Sequence, residues 1–349
     1  MMAITAITLR LQSELRTVTD RYVDAVTRAL VARWSQAWHE ISAEWELVVG
    51  EIVTARTAGE PLHPAQIAQL ARTQRALVVT ADKLTELVGE FETILDEPLR
   101  EIVQRTADMT SQVVASQLPD LPAFQSFTRV DAAAMQQIID RTMTSIVSSA
   151  QPLAPDALDA VKASLIRAIP AGWSPEKAAR EMLKRTRSSF NGGLGRAMRI
   201  ARTEMLDAHR AANHQQMRDD PAVASWLWWA ELDGSTCPSC IAQHGTEHPL
   251  DEDGPKDHPN GRCTALPKTQ SWADLGFPGL DEPEDIRPTA EDWIRDNPED
   301  AIRALGPDRY QLLMDGRISL SDLSTLHQND GWRDSYQATS LSDLRKAAA

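Results

Sequence analysis

LQSELRTVTDRYVDAVTRALVARWSQAWHEISAEWELVVGEI, residues 11–52, decides the fold class. Its apolar residues recur at steps of three and four: Leu11, Leu15, Val18, Tyr22, Val26, Leu30, Trp34, Trp38, Ile41, Trp45, Val48 and Ile52. That spacing places them on one stripe of an α-helix. Neither Pro nor Gly interrupts the stretch before Gly50. The helix, roughly 55 residues with its first turns, far exceeds the ~11–12-residue average and needs a long partner. Packing in a bundle is the expectation, with a self-associating coiled coil as the alternative.

Working outward, Pro61 and Pro64 end that helix. Helical patterns follow over 64–95, 98–117 and 131–149, punctuated by Pro98, Pro119 and Pro122. Beyond Pro152 and Pro155 a helix is expected over 156–169. Ser174 then caps a short basic helix over 177–187, with Pro175 at its first position. Asn191-Gly192-Gly193-Leu194-Gly195 predicts a flexible break before a helix over 196–217. Residues 225–232, SWLWWAEL, are the strongest strand candidate, through aromatic enrichment and alternation. On such a strand Trp226 and Trp228 share one face and Trp229 takes the other; all three read as core. Asp233-Gly234 marks a turn, and residues 237–268 read as a loop-rich module. Short helices return over 290–297, 298–305, 307–315 and 320–326.

The expected fold is therefore mainly α. Long N-terminal helices form a bundle, joined by a small α+β zinc-stapled module and a short-helical C-terminal tail. The corresponding divisions are 1–152, a basic helical segment over 153–218, the Cys/His module over 219–282, and the tail over 283–349.

Composition sets bounds on function. At about 150 residues per domain, 349 residues make two or three domains. A hydrophobic share of 42% and a charged share of 25% are ordinary for globular chains. No apolar run approaches the ~18–20 residues of a membrane helix, so no membrane partner is expected. The N-terminal MMAITAITLRLQSELR lacks the order of a secretory signal. Three cysteines are too few for a disulfide framework and point to a reducing compartment. The net charge of −14 conceals an asymmetry: −8 over residues 1–161, +7 over 162–210 and −13 over 211–349. Such asymmetry concerns partners rather than fold.

All three cysteines fall within 27 residues, as Cys237-Pro-Ser-Cys240 and then His258-Pro-Asn-Gly-Arg-Cys263. Zinc takes four thiolate or imidazole donors in a tetrahedron. Cys237 and Cys240 supply two from one knuckle, and His258 with Cys263 closes the set. Few large apolar residues lie between Ala230 and Leu266, so a staple would serve where a core is thin. Structural zinc contributes an apparent ~10–16 kcal/mol in finger peptides. A redox C-x-x-C and unliganded cysteines are the alternatives. His244 and His248 are rival donors, each otherwise a solvated loop histidine. Nothing marks a catalytic centre: G-x-S-x-G, the P-loop, H-E-x-x-H and the deaminase H-x-E are all missing from the sequence. An enzyme is not expected.

Arg202-Thr203-Glu204 on a helix, the tryptophan strand, Asp233-Gly-Ser-Thr-Cys237-Pro-Ser-Cys240 and the close His258-Pro-Asn-Gly-Arg262-Cys263 occur in that order. In this order the chain resembles the phage head morphogenesis family, the phage Mu protein F-like minor head proteins, over roughly residues 155–270. The tail around Leu305-Gly306-Pro307 and Asp315-Gly316 is also similar. The resemblance departs at Gly261, where the family pattern often carries a cysteine. It implies a virion component of a tailed bacteriophage, inside the head near the portal vertex and in the host cytoplasm during assembly. It implies a role in capsid assembly, DNA packaging or ejection, with the portal protein as partner and the major capsid or scaffolding protein as further candidates. Arg202, Thr203, Glu204 and Asp233 are its motif residues. A zinc-dependent treble-clef nuclease and a capsid maturation protease are the rival functions.

The basic segment, with Lys184, Arg185, Arg187, Arg196 and Arg199, reads first as a solvated face. DNA phosphates, contacted through residues 177–210, or an acidic portal surface are the functional alternative. Arg202 and Glu204 stand two apart and do not face each other on a helix. Each is expected to meet a different neighbour and to tie the helix to the cysteine module.

Overall fold

The computed structural model describes residues 4–60, 62, 64–120, 130–156, 158–159, 175–328 and 333–348. About two thirds of the described residues are helical. Among the described residues the first helices are α1 (Ala6–Thr57), α2 (Pro64–Gln69), α3 (Ala71–Ala115), α4 (Ala132–Ala150) and α5 (Pro175–Asp219), with residues 153–156, 158 and 159 helical between the last two. Then follow β1 (Val223–Trp229), α6 (Pro238–Gln243), β2 (Glu247–Pro249) and β3 (Thr264–Thr269). The C-terminal elements are α7 (Ala290–Asp296), α8 (Pro298–Leu305), α9 (Pro307–Met314), a 3-10 turn (Leu320–Leu323), β4 (Ser324–His327), β5 (Ser335–Ala338) and α10 (Leu341–Ala347). Among the described residues no helix is long and apolar enough to cross a membrane.

The chain forms two compact units. One comprises Arg21–Arg100 and Asp140–Met205, the other Met1–Asp20, Glu101–Ile139 and Leu206–Ala349.

In the first unit, α1 buries Val23, Val26, Leu30, Trp34, Ala37, Ile41, Trp45, Val48 and Ile52. The steps are three, four, four, an 11-residue period of about 3.67 residues per turn, close to the helix's own 3.6. α3 runs antiparallel to it. Glu51 meets Arg72 at 3.0 Å, Glu44 meets Arg75 at 3.3 Å, Glu40 meets Lys83 at 2.8 Å, and Arg33 pairs with Glu90. Trp45 Nε1 donates to Thr80 Oγ1 at 3.1 Å. Trp34 and Trp38 hold Phe190 of α5 at ring distances of 5.4 and 5.2 Å, and Trp34 Nε1 donates to the Phe190 carbonyl at 3.0 Å.

Several expected boundaries are corrected. α3 begins at Ala71 after the separate α2 and runs through Pro98, which was expected to open a new helix. A helical proline costs about 3 kcal/mol. Phe91, Leu95 and Leu99 are all buried around it, and each such side chain contributes about 1.5–3 kcal/mol. α5 likewise runs unbroken through Gly192, Gly193 and Gly195, where a flexible break was expected. A helical glycine costs only about 1 kcal/mol, and buried Phe190 anchors the turn beside it. The stripe itself is shifted: Ala37 is buried where Trp38 was expected, Gln12 and Thr19 where Leu11 and Val18 were, and Val23 where Tyr22 was, with Thr8 buried ahead of the expected stripe. Of the helix expected over 156–169, residues 156, 158 and 159 are described and helical. The Ser174 cap lies outside the described residues.

The second unit contains a three-stranded antiparallel sheet in the order β2-β1-β3. Alternation divides its faces. Trp226 and Trp228 pack with Val114, Met217, Cys240 and Cys263 on one side; Leu227 and Trp229 pack with Ile4, Val113 and Leu266 on the other. The end of α5 is tied to β3 by buried polar groups. Asn213 Nδ2 donates to the Ala265 carbonyl at 2.6 Å, and its Oδ1 accepts from Thr110 Oγ1 at 2.9 Å. His209 lies 2.8 Å from Thr106 Oγ1 and 3.2 Å from Thr264 Oγ1.

The C-terminal elements pack around Ile294, Ala301, Leu305, Leu323 and Leu344, together with Ile241 of α6. The helix expected over 320–326 is instead the 3-10 turn followed by the β4–β5 hairpin. Ser319 and Asp322 form a capping box that closes one short turn. Tyr336 of β5 then meets Trp228 edge-on at 5.7 Å.

Candidate metal centre

The turn before Cys237 is built by Asp233. Its Oδ1 accepts from the Ser235 N–H at 2.7 Å, and Thr236 Oγ1 donates to the Glu231 carbonyl. Cys237 then caps α6, its sulfur accepting from the Cys240 N–H at 3.3 Å, with Pro238 in the first helical turn. Over that one turn Cys240 faces the cluster, while Ile241 enters the C-terminal core.

The second half of the site is carried by His258-Pro259-Asn260-Gly261. The Gly261 N–H donates to the His258 carbonyl at 2.8 Å. Asn260 sits at φ 62°, the conformation a type II turn needs after its proline. β3 begins directly after Cys263.

These turns converge on the Cys240 sulfur. It lies 3.0 Å from Cys237 Sγ and 3.6 Å from His258 Nε2; His258 Nε2 lies 3.1 Å from Cys237 Sγ. The donor atoms of Cys237, Cys240 and His258 all lie within 4.8 Å of one another, and so do those of Cys240, Asp257 and Cys263. The four residues expected from sequence thus fall in two triads that share Cys240, with Asp257 as an additional member. A cavity of about 130 Å³ opens beside them, lined in part by Arg16, Thr236 and Arg262.

The electrostatics are those of donors sharing protons. Hydrogen bonding with Cys240, and then with His258, pulls the Cys237 thiol down to about 5 against the effect of burial. His258 is raised to about 9, chiefly by Cys237. Cys240 is pushed up by Cys237 and then by Cys263. Burial raises Cys263, while Trp228 acts on it in the opposite direction.

The donor set fits a thiophilic cation such as zinc. Two sulfurs and an imidazole lie together in one triad, the Cys263 sulfur joins through the second triad that shares Cys240, and a tetrahedron with bonds of about 2.0–2.3 Å puts its donors roughly 3.5–3.8 Å apart. The 3.6 Å Cys240–His258 separation falls in that range, while the Cys237 distances are shorter. Trp228 Nε1 is buried without a hydrogen-bond partner among the described residues, and its N–H favours a Cys263 thiolate. A metal-bound Cys263 sulfur would be a stronger acceptor for that N–H.

The rival histidines stand outside the cluster. His244 is buried, not solvated as expected. Its Nδ1 accepts from the Ala230 N–H at 3.2 Å, its Nε2 lies 3.3 Å from the Pro288 carbonyl, and burial lowers it to about 4. His248 stacks on Trp226 at 4.2 Å and bonds to Thr246 and Glu252.

Lys184, Arg187 and Arg199 of the basic segment are exposed. Arg196 is exposed as well and meets Asp156 at 2.6 Å; the Arg185 side chain lies outside the described residues. Thr203 is buried, with Arg202 and Glu204 half-buried beside it. A tie from α5 to the cysteine module is visible two turns further on, at Arg210. Arg210 and Asp257 are the residues that sequence reasoning did not single out. The readable signal was the position of Asp257 directly before a His-Pro-Asn-Gly turn.

Residues 159–266 match the model of the family described as Phage Mu protein F like protein. No curated protein and no solved structure matches the chain. The match runs from the approach to α5 to the middle of β3 and contains Arg202-Thr203-Glu204, the tryptophan strand and every residue of the cluster. Over these residues, about a third of its length, the chain is similar to the phage Mu protein F like proteins.

Proposed function

We propose that the chain is a minor head protein of a tailed bacteriophage. In this reading it is made in the host cytoplasm, is carried in the virion near the portal vertex, and assists capsid assembly, DNA packaging or ejection. The observation that carries the reading is the family match over residues 159–266. The portal protein is the proposed partner, with the major capsid or scaffolding protein as a further contact. DNA is a candidate along residues 177–210, where Lys184, Arg187 and Arg199 are exposed.

The Cys/His cluster is proposed to hold structural zinc through Cys237, Cys240, His258 and Cys263. When bound, the ion would cross-link the α6 knuckle to the turn before β3. The protein residues supply the rest: Asp233 sets the first turn, Cys237 caps α6, and the Pro259-Asn260 turn presents His258.

The test is composition of purified virions, with localisation in the particle. The chain is expected beside the portal, and heads made without it are expected to be defective in assembly or DNA delivery. Its absence from virions, with normal heads formed without it, would overturn the reading. Metal-dependent plasmid cleavage lost in His258→Ala would replace it with the nuclease. Capsid protein left unprocessed when the chain is absent would replace it with the protease. DNA affinity that does not fall with salt would remove the proposed phosphate contacts.

A further inference from the structure

Arg210 and Asp257 form a buried pair whose use is not explained by α5 or by the sheet alone. Their side chains are 7% and 1% exposed. Asp257 Oδ1 accepts the main-chain N–H of His258 at 2.8 Å, and Oδ2 accepts that of Cys263 at 2.9 Å. Arg210 Nη2 reaches Oδ2 at 3.2 Å and also donates to the Gly261 carbonyl. Its Nε donates to the Cys263 carbonyl at 2.9 Å, and Nη1 to Asp207 Oδ1 at 2.6 Å. One guanidinium and one carboxylate therefore grip the main chain at His258, Gly261 and Cys263.

Gly261 completes the arrangement. A Cβ at that position would stand 2.1 Å from both Cγ and Oδ2 of Asp257. A side chain at 261 and the Asp257 carboxylate exclude each other. The departure from the family pattern thus coincides with the space that the carboxylate fills.

We propose that Arg210 and Asp257 are the positioning pair of the metal site, with Gly261 as the residue that admits the carboxylate. The pair sets the separation of His258 from Cys263 and fastens both to α5. This rests on the metal-site reading above. Partners that orient ligands in this way typically cost 10–100-fold in metal affinity when lost.

The test uses the full chain and the variants Asp257→Asn, Gly261→Ala and Arg210→Lys. Zinc affinity is measured by chelator competition, and main-chain N–H exchange is followed at His258 and Cys263. All three variants are expected to bind zinc about 10–100-fold more weakly and to exchange faster at both positions. Arg210→Lys keeps the charge and loses the guanidinium contacts, so it is the variant expected to fold if the others do not. Affinities within about twofold of the parent chain, well short of that range, would overturn the proposal. Should the parent chain bind no zinc, the metal reading fails by itself. Exchange then decides alone: unchanged rates overturn the pair, and faster rates retain it as the device that positions the loop.

Discussion

The two ends of α1 are buried in different chemistry. Over residues 23–52 the buried row is apolar, from Val23 to Ile52. Over residues 4–19 it includes Thr8, Gln12 and Thr19. Thr8 meets Ser116 of the α3 end at 2.9 Å, and Thr19 lies 3.5 Å from His209. Apolar burial is non-directional and tolerates exchange among similar volumes. Buried hydrogen bonds specify their partners, because an unmet group costs about 1–3 kcal/mol. The polar end belongs to the unit that carries the cysteine cluster, where position matters more than volume.

The comparison can be broken most sharply by removing the metal. With a strong chelator, amides of β1 and β3 are expected to lose exchange protection, while amides of α1 over residues 23–52 keep theirs. Equal loss in both regions would mean that the staple is not local.

The apolar region has its own test. Trp45 is 1% exposed and bonds to Thr80, so Trp45→Ala should cost about 3–5 kcal/mol in denaturant unfolding. The same variant should leave zinc content unchanged. A cost below about 1 kcal/mol would show that the row is loosely packed.

Acid should select the polar region. Burial holds His209 neutral, down at about 3, whereas an unfolded histidine titrates near 6.5. Below pH 6.5 the unfolded chain therefore binds the extra proton. The stability contributed is complete above about pH 6.5 and is lost progressively as pH falls toward 3. By pH 4.5 the loss should be about 2–3 kcal/mol. His209→Gln should flatten that part of the profile, and an identical slope in the variant would count against the assignment.

The smallest effect concerns α5. Gly192 has open space around its Cβ position, so Gly192→Ala should stabilise the chain by about 0.5–1 kcal/mol. Destabilisation would restore the break that the glycine cluster suggested.

The long helices and the strand were legible because periodicity reports burial directly. Trp226 and Trp228 fell on one face and Trp229 on the other, as alternation required. Pro98 and the 192–195 glycines misled because local cost was read without the tertiary packing that offsets it. Spacing singled out Cys237, Cys240, His258 and Cys263 as candidates, and the structure distributes them over two triads that share Cys240. Asp257 was not, because its role depends on accepting two main-chain N–H groups, and that geometry leaves no period in a sequence. Arg210 looked like its basic neighbours, and only burial separates it from exposed Arg199.

The most direct test is the metal content of the purified chain beside Cys240→Ser, since Cys240 belongs to both triads. About one zinc per parent chain, tetrahedral as in structural sites and lost in the variant, is the result this account predicts. A parent chain without metal, with β1 and β3 still protected from exchange, would contradict it.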